Sequence, residues 1–223
     1  PIGGSSQIVK TIDPVIEKSG GQIIVRASVK KIIIKKNKAL GVELEDGRRI
    51  FSNIIVSGTG VFNTYNQLIS NDIAKKFGFK NQLKSLNPSV AHGCLYVGLK
   101  GDAKSLKLPK NNLWIYQDHI DHDSAVELYL KDQSNEFPLV YISFPSAKDP
   151  SWNDRYPGRS TIDIITLIPY ESFEKWEGSS WKKRGSEYEK NKEDISKRLL
   201  EHLFKHLPNL RDKIDYYELS SPL

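Results

Sequence analysis

Three small residues, Gly58, Thr59 and Gly60, are the clearest candidates for cofactor chemistry in the sequence. They follow a strongly apolar stretch and precede a helical pattern, and small residues in such a turn let backbone N–H groups approach a phosphate. The dinucleotide fingerprint needs a third glycine, and Asn63 occupies its place. The segment therefore predicts either a strand-to-helix turn without a ligand or a turn beside a cofactor that other residues hold.

The segment Asp118–Asp123 is rich in metal-ligating residue types, with two histidines three residues apart and three aspartates. Imidazole and carboxylate groups at this density can bind a divalent metal. Aspartates also collect at helix N-termini, and Asp121 or Asp123 is suited to cap a short helix over Ala125–Leu130. We favour the capping interpretation and predict no metal site.

Histidine and cysteine occur together in two further places. His202 and His206 lie four residues apart on a predicted helix, but no glutamate follows His202 to complete a hydrolytic zinc motif. Histidine is favourable near a helix C-terminus without any metal. His92 and Cys94 are close in the chain, yet a nucleophilic pair needs a positioned third group. Cys94 is the sole cysteine, which excludes an internal disulfide, and we predict a buried core residue.

A long connection over residues 145–161, rich in proline, glycine and aromatic residues, joins two predicted strands. Connections of this length in a compact domain are often functional or specially packed. Lys148, Asp149, Trp152 and Arg155 have the side chains to line a pocket, and equally to lock the loop through ion pairs and ring stacking. The sequence leaves both interpretations open.

The elements that must position these residues begin with a helix and a set of short strands. The helix starts at Ser5 or Ser6, contains Pro14 and ends at Gly20–Gly21. The last of the strands is apolar enough to predict burial on both faces. The predicted strands are Gln22–Arg26, Val29–Lys35, Leu40–Leu44, Arg49–Phe51 and Asn53–Ser57.

After residue 60 the pattern changes to one helix over about Asn63–Phe77, followed by strands that alternate apolar and polar residues. Such alternation is typical of a sheet with one covered face. A long amphipathic helix is predicted over Ser186–Leu207, with Pro208 ending it. The predicted strands of this part are Cys94–Leu99, Leu113–Tyr116, Leu139–Phe144, Thr161–Ile168 and Ile214–Leu219.

Composition narrows the classes of protein that remain. The 223 residues are 38% hydrophobic and 27% charged, which is typical of a globular chain. The net charge is +6, but the lysines are dispersed among apolar and acidic residues, so we expect no nucleic-acid partner. No apolar run approaches the ~20 residues of a membrane span, and no targeting segment is visible. Because the sequence contains no methionine, we expect a piece of a longer protein.

Several segments are distinctive beyond their composition. They are Pro1–Ser6, Val56–Tyr65, Phe144–Trp152, Arg155–Thr161, Pro169–Trp176 and Arg184–Glu189. In order along nearly the whole chain, they resemble the all-trans-retinol 13,14-reductase (retinol saturase) family. That family is grouped with the phytoene-desaturase and carotenoid-isomerase-like FAD-dependent oxidoreductases.

The resemblance implies an α/β flavoenzyme of two domains. Residues 1–60 would be the middle portion of an FAD/NAD(P)-binding Rossmann-like domain that lacks its G-x-G-x-x-G unit. Residues 61–223 would be a substrate-binding domain of α+β character, with a mixed or antiparallel sheet and flanking helices. We therefore expect a domain boundary near residue 60.

The resemblance also implies which residues face the cofactor. Gly3 and Gly4 match a glycine pair near the flavin, and Val29 matches a valine whose backbone meets the adenine end of FAD. The turn Gly58–Gly60 matches one beside the dinucleotide, with Gly-Thr where the family commonly has Asn-Ala. No catalytic side chain is implied, because much of the chemistry belongs to the flavin.

The function implied for the longer parent is reduction or desaturation of a double bond in a hydrophobic polyene, such as a retinoid or carotenoid. FAD would be the cofactor and a nicotinamide cofactor the hydride source. We expect the piece alone to be inactive and to bind little or no FAD. The alternative is a non-catalytic apolar-lipid-binding or membrane-surface module, which leaves the location open between the cytoplasm and a membrane surface.

Overall fold

The computed structural model describes residues 2–86, 89–180 and 182–223 and groups the chain into two compact units. The larger unit contains residues up to 11 together with 90–223, and the smaller contains residues 12–89. The units thus divide at residue 89, and not at the boundary expected near residue 60. As a division between functional domains, that boundary stays a prediction.

The smaller unit is built on a three-stranded antiparallel meander of β1 (Val29–Lys35), β2 (Lys38–Leu44) and β3 (Arg49–Phe51). Lys36 and Asn37 join β1 to β2 with positive φ angles of 50° and 62°, as a two-residue hairpin turn requires. The predicted bounds of β1 and β3 are confirmed, and β2 starts two residues earlier than predicted.

Helix α1 (Ser6–Lys18) matches the predicted helix, with Pro14 inside it. None of its residues is buried, although its apolar side chains are regularly spaced. Ile8, Val9, Ile12 and Val15 are each about half exposed or more. The helix therefore presents an apolar stripe that no described residue covers fully.

The single helix predicted over Asn63–Phe77 is wrong, because the chain forms several short helices there. They are α2 (Val61–Asn63), a π-helical turn at Thr64–Leu68, α3 (Asn71–Lys76) and α4 (Phe79–Lys84). The backbone is extended at Ile69 and Ser70. Ser70, Asn71 and Asp72 favour a helix start over a helix interior, since their side chains compete for backbone hydrogen bonds.

Two predicted strands of the smaller unit, Gln22–Arg26 and Asn53–Ser57, are also wrong. Both segments lack regular structure, and the second is far from buried: Ile54 is 78% and Val56 88% exposed. A strand needs a neighbour for its N–H and C=O groups. Neither segment finds one within the described ranges, so apolar composition alone does not produce a strand.

The larger unit holds a five-stranded sheet in the order β5-β6-β7-β4-β8. Its strands are β4 (His92–Lys100), β5 (Leu113–Tyr116), β6 (Leu139–Ser143), β7 (Arg159–Leu167) and β8 (Ile214–Ser220). Every pair within it is antiparallel. All five predicted strands are confirmed to within a few residues, and so is the mixed helix-and-strand fold class.

In the described part of this unit, four α-helices accompany the sheet: α5 (His122–Lys131), α6 (Pro145–Lys148), α7 (Trp152–Arg155) and α8 (Ser186–His206). Short 3-10 helices lie at Tyr170–Ser172, Glu174–Trp176 and Pro208–Lys213. The predicted long helix is confirmed as α8, whose buried stripe packs against one face of the sheet. Alternate strand residues point into this core, as the period of two requires. The buried strand residues are Leu95, Val97, Leu99, Val140, Ile142, Ile162, Ile164 and Leu219. The other face of the sheet stays open.

Candidate functional site

The open face of the five-stranded sheet carries a band of aromatic and apolar side chains. Trp114 pairs with Tyr141, Tyr141 with Ile165, and Ile165 with Cys94, so one row crosses four strands. The Trp114 and Tyr141 rings meet edge-on with centroids 4.6 Å apart. Trp114 is 58% exposed, which is unusual for a large apolar side chain and indicates a surface suited to a ligand.

A groove of about 340 Å³ lies on this band and is largely apolar. Its floor comes from β5, β6 and β7, because the alternation that buries Ile164 and Val140 sends their neighbours to the open face. The groove is lined by His92, Trp114, Leu139, Tyr141, Ile165, Thr166 and Leu167. An elongated apolar ligand fits such a lining better than a charged one.

The next row of the same face is polar. Ser143 pairs with Asp163 and Asp163 with Tyr96, two residues along each strand from the apolar row. Lys148 donates hydrogen bonds to Ser143 Oγ at 3.0 Å and to Asn112 Oδ1. A second pocket, of about 630 Å³, begins here and reaches the N-terminal residues Ile2, Gly4 and Ser5.

Asp163 has no hydrogen-bond partner among the residues that the structure describes, although it is partly buried. Burial raises the pKa of its carboxyl group, and the positive charge of Lys148 opposes that rise. A carboxyl group without a protein partner can accept a hydrogen bond from a ligand or, when protonated, donate one. The only signal for Asp163 in the sequence is its place in the alternating β7 pattern, which puts it on the face opposite the core.

The loop over residues 145–161 is held in place by contacts between its own side chains, and it also lines the second pocket. Asp149 Oδ2 accepts hydrogen bonds from Arg155 at 2.5 Å and from the Gly3 backbone N–H at 3.0 Å. Asp149 Oδ1 accepts a hydrogen bond from the Ser151 hydroxyl at 2.8 Å. These contacts, with that from Ser151 the largest, hold the pKa of Asp149 below its usual range.

Ring stacking completes this lock, since the Arg155 guanidinium lies 5.5 Å from the centroid of Trp152 and 5.4 Å from that of Tyr156. Lys148, Asp149, Trp152 and Arg155 also line the second pocket. Both interpretations that the sequence left open therefore hold for the same residues.

The predicted cofactor-facing residues fall in both units. Gly3 and Gly4 belong to the larger unit, whereas Val29 in β1 and Gly58–Gly60 belong to the smaller. Pro1, which completes the N-terminal match, lies outside the described residues. A Cβ atom added at Gly4, Gly58 or Gly60 would meet no heavy atom within 4 Å. Open space therefore lies on the Cβ side of these glycines, as at several other turn glycines of the chain, and their role toward a cofactor stays a prediction.

The turn at Gly58–Gly60 is organised by hydroxyl groups. Thr64 Oγ1 donates a hydrogen bond to the Gly60 carbonyl oxygen at 2.7 Å. The same Thr64 Oγ1 lies 2.7 Å from Ser57 Oγ and 3.2 Å from Thr59 Oγ1. The Gly60 φ angle of 84° favours glycine. This arrangement explains the turn without a ligand, so its role toward a cofactor stays a prediction.

Two of the residues considered as metal ligands, Asp121 and His202, have structural contacts. The Asp121 side chain caps α5 by accepting a hydrogen bond from the Ser124 backbone N–H at 3.0 Å, as the capping interpretation predicted. His202 packs near the Phe137 ring, and burial lowers its pKa. Within the described ranges, no three His, Cys, Asp or Glu residues are grouped to hold a metal ion.

The prediction that Cys94 is a buried core residue is wrong. Cys94 lies on the open face of the sheet and is only partly buried. Strand alternation decides this, since its neighbours Gly93 and Leu95 take the core positions. Burial raises the pKa of the Cys94 thiol to about 11, and Asp163 acts in the same direction. A thiol with this pKa carries little thiolate at neutral pH and is a poor nucleophile.

The fold of this chain has counterparts among solved structures. An oxidoreductase from Methanosarcina mazei superposes with a TM-score of 0.60 at 17% identity, covering 98% of this chain and 42% of that one. A protein from Pyrococcus furiosus superposes with a TM-score of 0.57 at 16% identity, covering 100% and 44%. At these identities the likeness establishes the fold alone.

Sequence comparison points to particular relatives. The whole chain is 36% identical to all-trans-retinol 13,14-reductase of Homo sapiens and 33% identical to that of Rattus norvegicus, covering 38% of each. It is 29% identical to the chloroplastic prolycopene isomerase of Arabidopsis thaliana, covering 34% of it. No protein-family profile matches the chain. The resemblance to the all-trans-retinol 13,14-reductases is thus confirmed, and the chain spans about two fifths of their length.

None of the helices in the described part of the chain is both long and apolar enough to cross a membrane.

Proposed function

We propose that these residues form the substrate-binding part of an FAD-dependent oxidoreductase that reduces or desaturates a double bond in a hydrophobic polyene. The observation that carries the proposal is the aromatic band on the open sheet face. Flat rings and apolar side chains at Trp114, Tyr141 and Ile165 match the shape and polarity of a conjugated chain. The names of the relatives, a retinol reductase and a prolycopene isomerase, both refer to polyene chemistry.

The flavin would be held through backbone groups as well as side chains. Open space on the Cβ side of Gly4, Gly58 and Gly60 is compatible with this assignment, which rests on the family match that also includes Gly3, Thr59 and Val29. When bound, the flavin supplies hydride transfer, with a nicotinamide cofactor as the ultimate hydride source. The chain's own sheet would orient the polyene and exclude water from its double bonds.

Purification of the product of the complete gene tests this proposal. We expect a visible flavin spectrum that bleaches on reduction, and conversion of a retinoid or carotenoid probe to a product two hydrogens richer or poorer. Gly58→Val should lower the flavin content while leaving the fold intact, because open space surrounds that position. A colourless, folded product with no polyene conversion would contradict the proposal.

The exposed apolar stripe of α1 favours one second candidate, a non-catalytic module that binds lipid or a membrane surface. Ile8, Val9, Ile12 and Val15 give that helix an uncovered apolar face, and the chain has an excess of positive charge. Co-sedimentation with anionic phospholipid vesicles tests it. Binding that Ile12→Glu abolishes, in a protein without flavin, would favour this candidate.

A further inference from the structure

We propose that Asp149 is a positioning residue, which holds the turn at Gly3 and Gly4 against the wall of the second pocket and acts on the cofactor through that turn. This inference rests on the proposed function, in which the glycine pair lies beside the flavin. It extends that function to a side chain in a different part of the chain, 146 residues from Gly3.

The first step concerns the conformation of the turn. Gly3 and Gly4 have φ angles of 86° and 90°, and two consecutive glycines have little conformational preference of their own. Contacts from other residues must therefore select the observed conformation. The Gly3 backbone N–H donates a hydrogen bond to Asp149 Oδ2 at 3.0 Å, and the Gly4 carbonyl oxygen accepts one from the Gln7 backbone N–H at 3.1 Å. Asp149 is thus the partner from outside the N-terminal segment.

The second step concerns the rigidity of Asp149 itself, whose side chain is only 9% exposed. Its Oδ1 atom accepts hydrogen bonds from the Ser151 backbone N–H at 3.0 Å and from the Ser151 hydroxyl at 2.8 Å. Its Oδ2 atom accepts one from Arg155 as well as the one from Gly3. All four partners are donors, which a carboxylate satisfies at both oxygens and an amide does not. The anchor for Gly3 is therefore fixed in place before any ligand binds.

The third step concerns what the anchor positions. Gly4 and Ser5 line the second pocket together with Asp149, so a shift of the turn would change the shape of that pocket. A binding site needs supporting hydrogen bonds to keep its contacting groups within a fraction of an ångström. The contacts of Asp149 with Ser151 and Arg155 stay within the loop over residues 145–161, whereas the contact with Gly3 leaves it. The Gly3 contact can therefore be separated from the loop by substitution.

Three variants of the complete gene product, each titrated with FAD, test the inference. We expect Asp149→Asn to raise the dissociation constant of FAD about tenfold, the usual effect of losing a hydrogen bond to a charged group. The visible absorption bands of the flavin that remains bound should shift, because its surroundings change. Ser151→Ala weakens the same loop but keeps the Gly3 contact, and Asp154→Asn removes an exposed acid of that loop. Both should retain the wild-type affinity and spectrum.

The outcomes separate this inference from the proposed function. Equal effects of Asp149→Asn and Ser151→Ala, or no effect of Asp149→Asn, would overturn the role of Asp149 and leave flavin binding intact. A wild type that binds no FAD would overturn the proposed function, and the inference with it. Where Asp149→Asn fails to fold, amide hydrogen exchange in the wild-type 223-residue chain decides. Exchange at Gly3 about tenfold or more below that of an unstructured peptide supports the anchor, and unprotected exchange overturns it.

Discussion

Asp163 combines partial burial with a missing hydrogen bond, and that combination has a measurable effect on stability. Burial raises the pKa of its carboxyl group above the unfolded value, so folding favours the protonated form. Its stabilising contribution is therefore complete below the unfolded pKa and is lost as the pH rises through the folded pKa. Above that range the native state must hold a poorly solvated carboxylate.

We expect Asp163→Asn to make the protein more stable than the wild type at pH 7, because the amide stays neutral at every pH. The difference in the free energy of unfolding should shrink as the pH falls toward the ordinary aspartate range. Urea titrations of both proteins between pH 4 and pH 8 measure it. Asp118→Asn serves as the exposed control, and a greater gain in stability there than at Asp163 would contradict the argument.

Contacts between residues close in the chain were predictable from the sequence, whereas contacts between distant residues were not. Asp149 and Arg155 lie six residues apart in one loop, so their pairing could be anticipated from local chemistry. The third partner, Gly3, lies 146 residues away from Asp149, and no local pattern encodes that contact. The partial burial of Asp163 was not predictable either, because it depends on how neighbouring strands pack around β7.

At the scale of elements, the meander depends on the close approach of β2 and β3 at Gly41. A Cβ atom there would lie 2.2 Å from the Ile50 carbonyl oxygen and 2.9 Å from the Phe51 Cα atom. Because both neighbours are backbone atoms, the strands would have to separate. A side chain at this position is therefore incompatible with the observed pairing.

We expect Gly41→Ala to lower the free energy of unfolding of the smaller unit by at least ~1–3 kcal/mol, the usual cost of overpacking. Gly98→Ala is the matched control, since it also lies inside a strand but its Cβ would make only ordinary contacts, the nearest at 3.7 Å to the Tyr216 carbonyl oxygen. Chemical denaturation followed by circular dichroism measures both variants. Equal losses of stability in the two would show that glycine is not required at Gly41.

The segment Asn53–Ser57 shows the limit of composition as a guide to burial. Its three consecutive β-branched apolar residues are typical of a strand inside a parallel sheet. The observed exposure of Ile54 and Val56 follows from the lack of neighbouring strands in the described residues. The strands of the larger unit were predictable because they carry the alternation of a sheet with one covered face.

The exposure of Val56 predicts how its substitution affects stability. Val56→Lys should change the free energy of unfolding of the 223-residue chain by no more than ~0.5 kcal/mol, as for other exposed positions. Ile164→Ala, in the core of the five-stranded sheet, should cost ~2–5 kcal/mol. Thermal and urea unfolding measure both, and a loss at Val56→Lys as large as that at Ile164→Ala would show that the segment is buried in solution.

For the whole molecule, the family resemblance was predictable from the sequence, whereas the candidate functional site was not. Ordered matches along nearly the whole chain were enough to identify the relatives, and the comparisons confirm them at 36% identity. The apolar groove was not predictable, because its lining is brought together from β4, β5, β6 and β7. Such a surface depends on strand order, which the sequence does not encode locally.

FAD binding is the property that depends most on the whole molecule. The 223 residues contain Gly58–Gly60 but have Asn63 in place of the third glycine of a dinucleotide fingerprint, and they span about two fifths of their relatives. Backbone contacts to a pyrophosphate supply much of the affinity of such sites. We therefore expect a titration of this chain with FAD, followed by flavin fluorescence, to show no saturable binding at micromolar concentrations. The product of the complete gene should retain flavin through purification in parallel. Stoichiometric, tight binding of FAD by the 223 residues alone would contradict this expectation and place the main cofactor contacts within them.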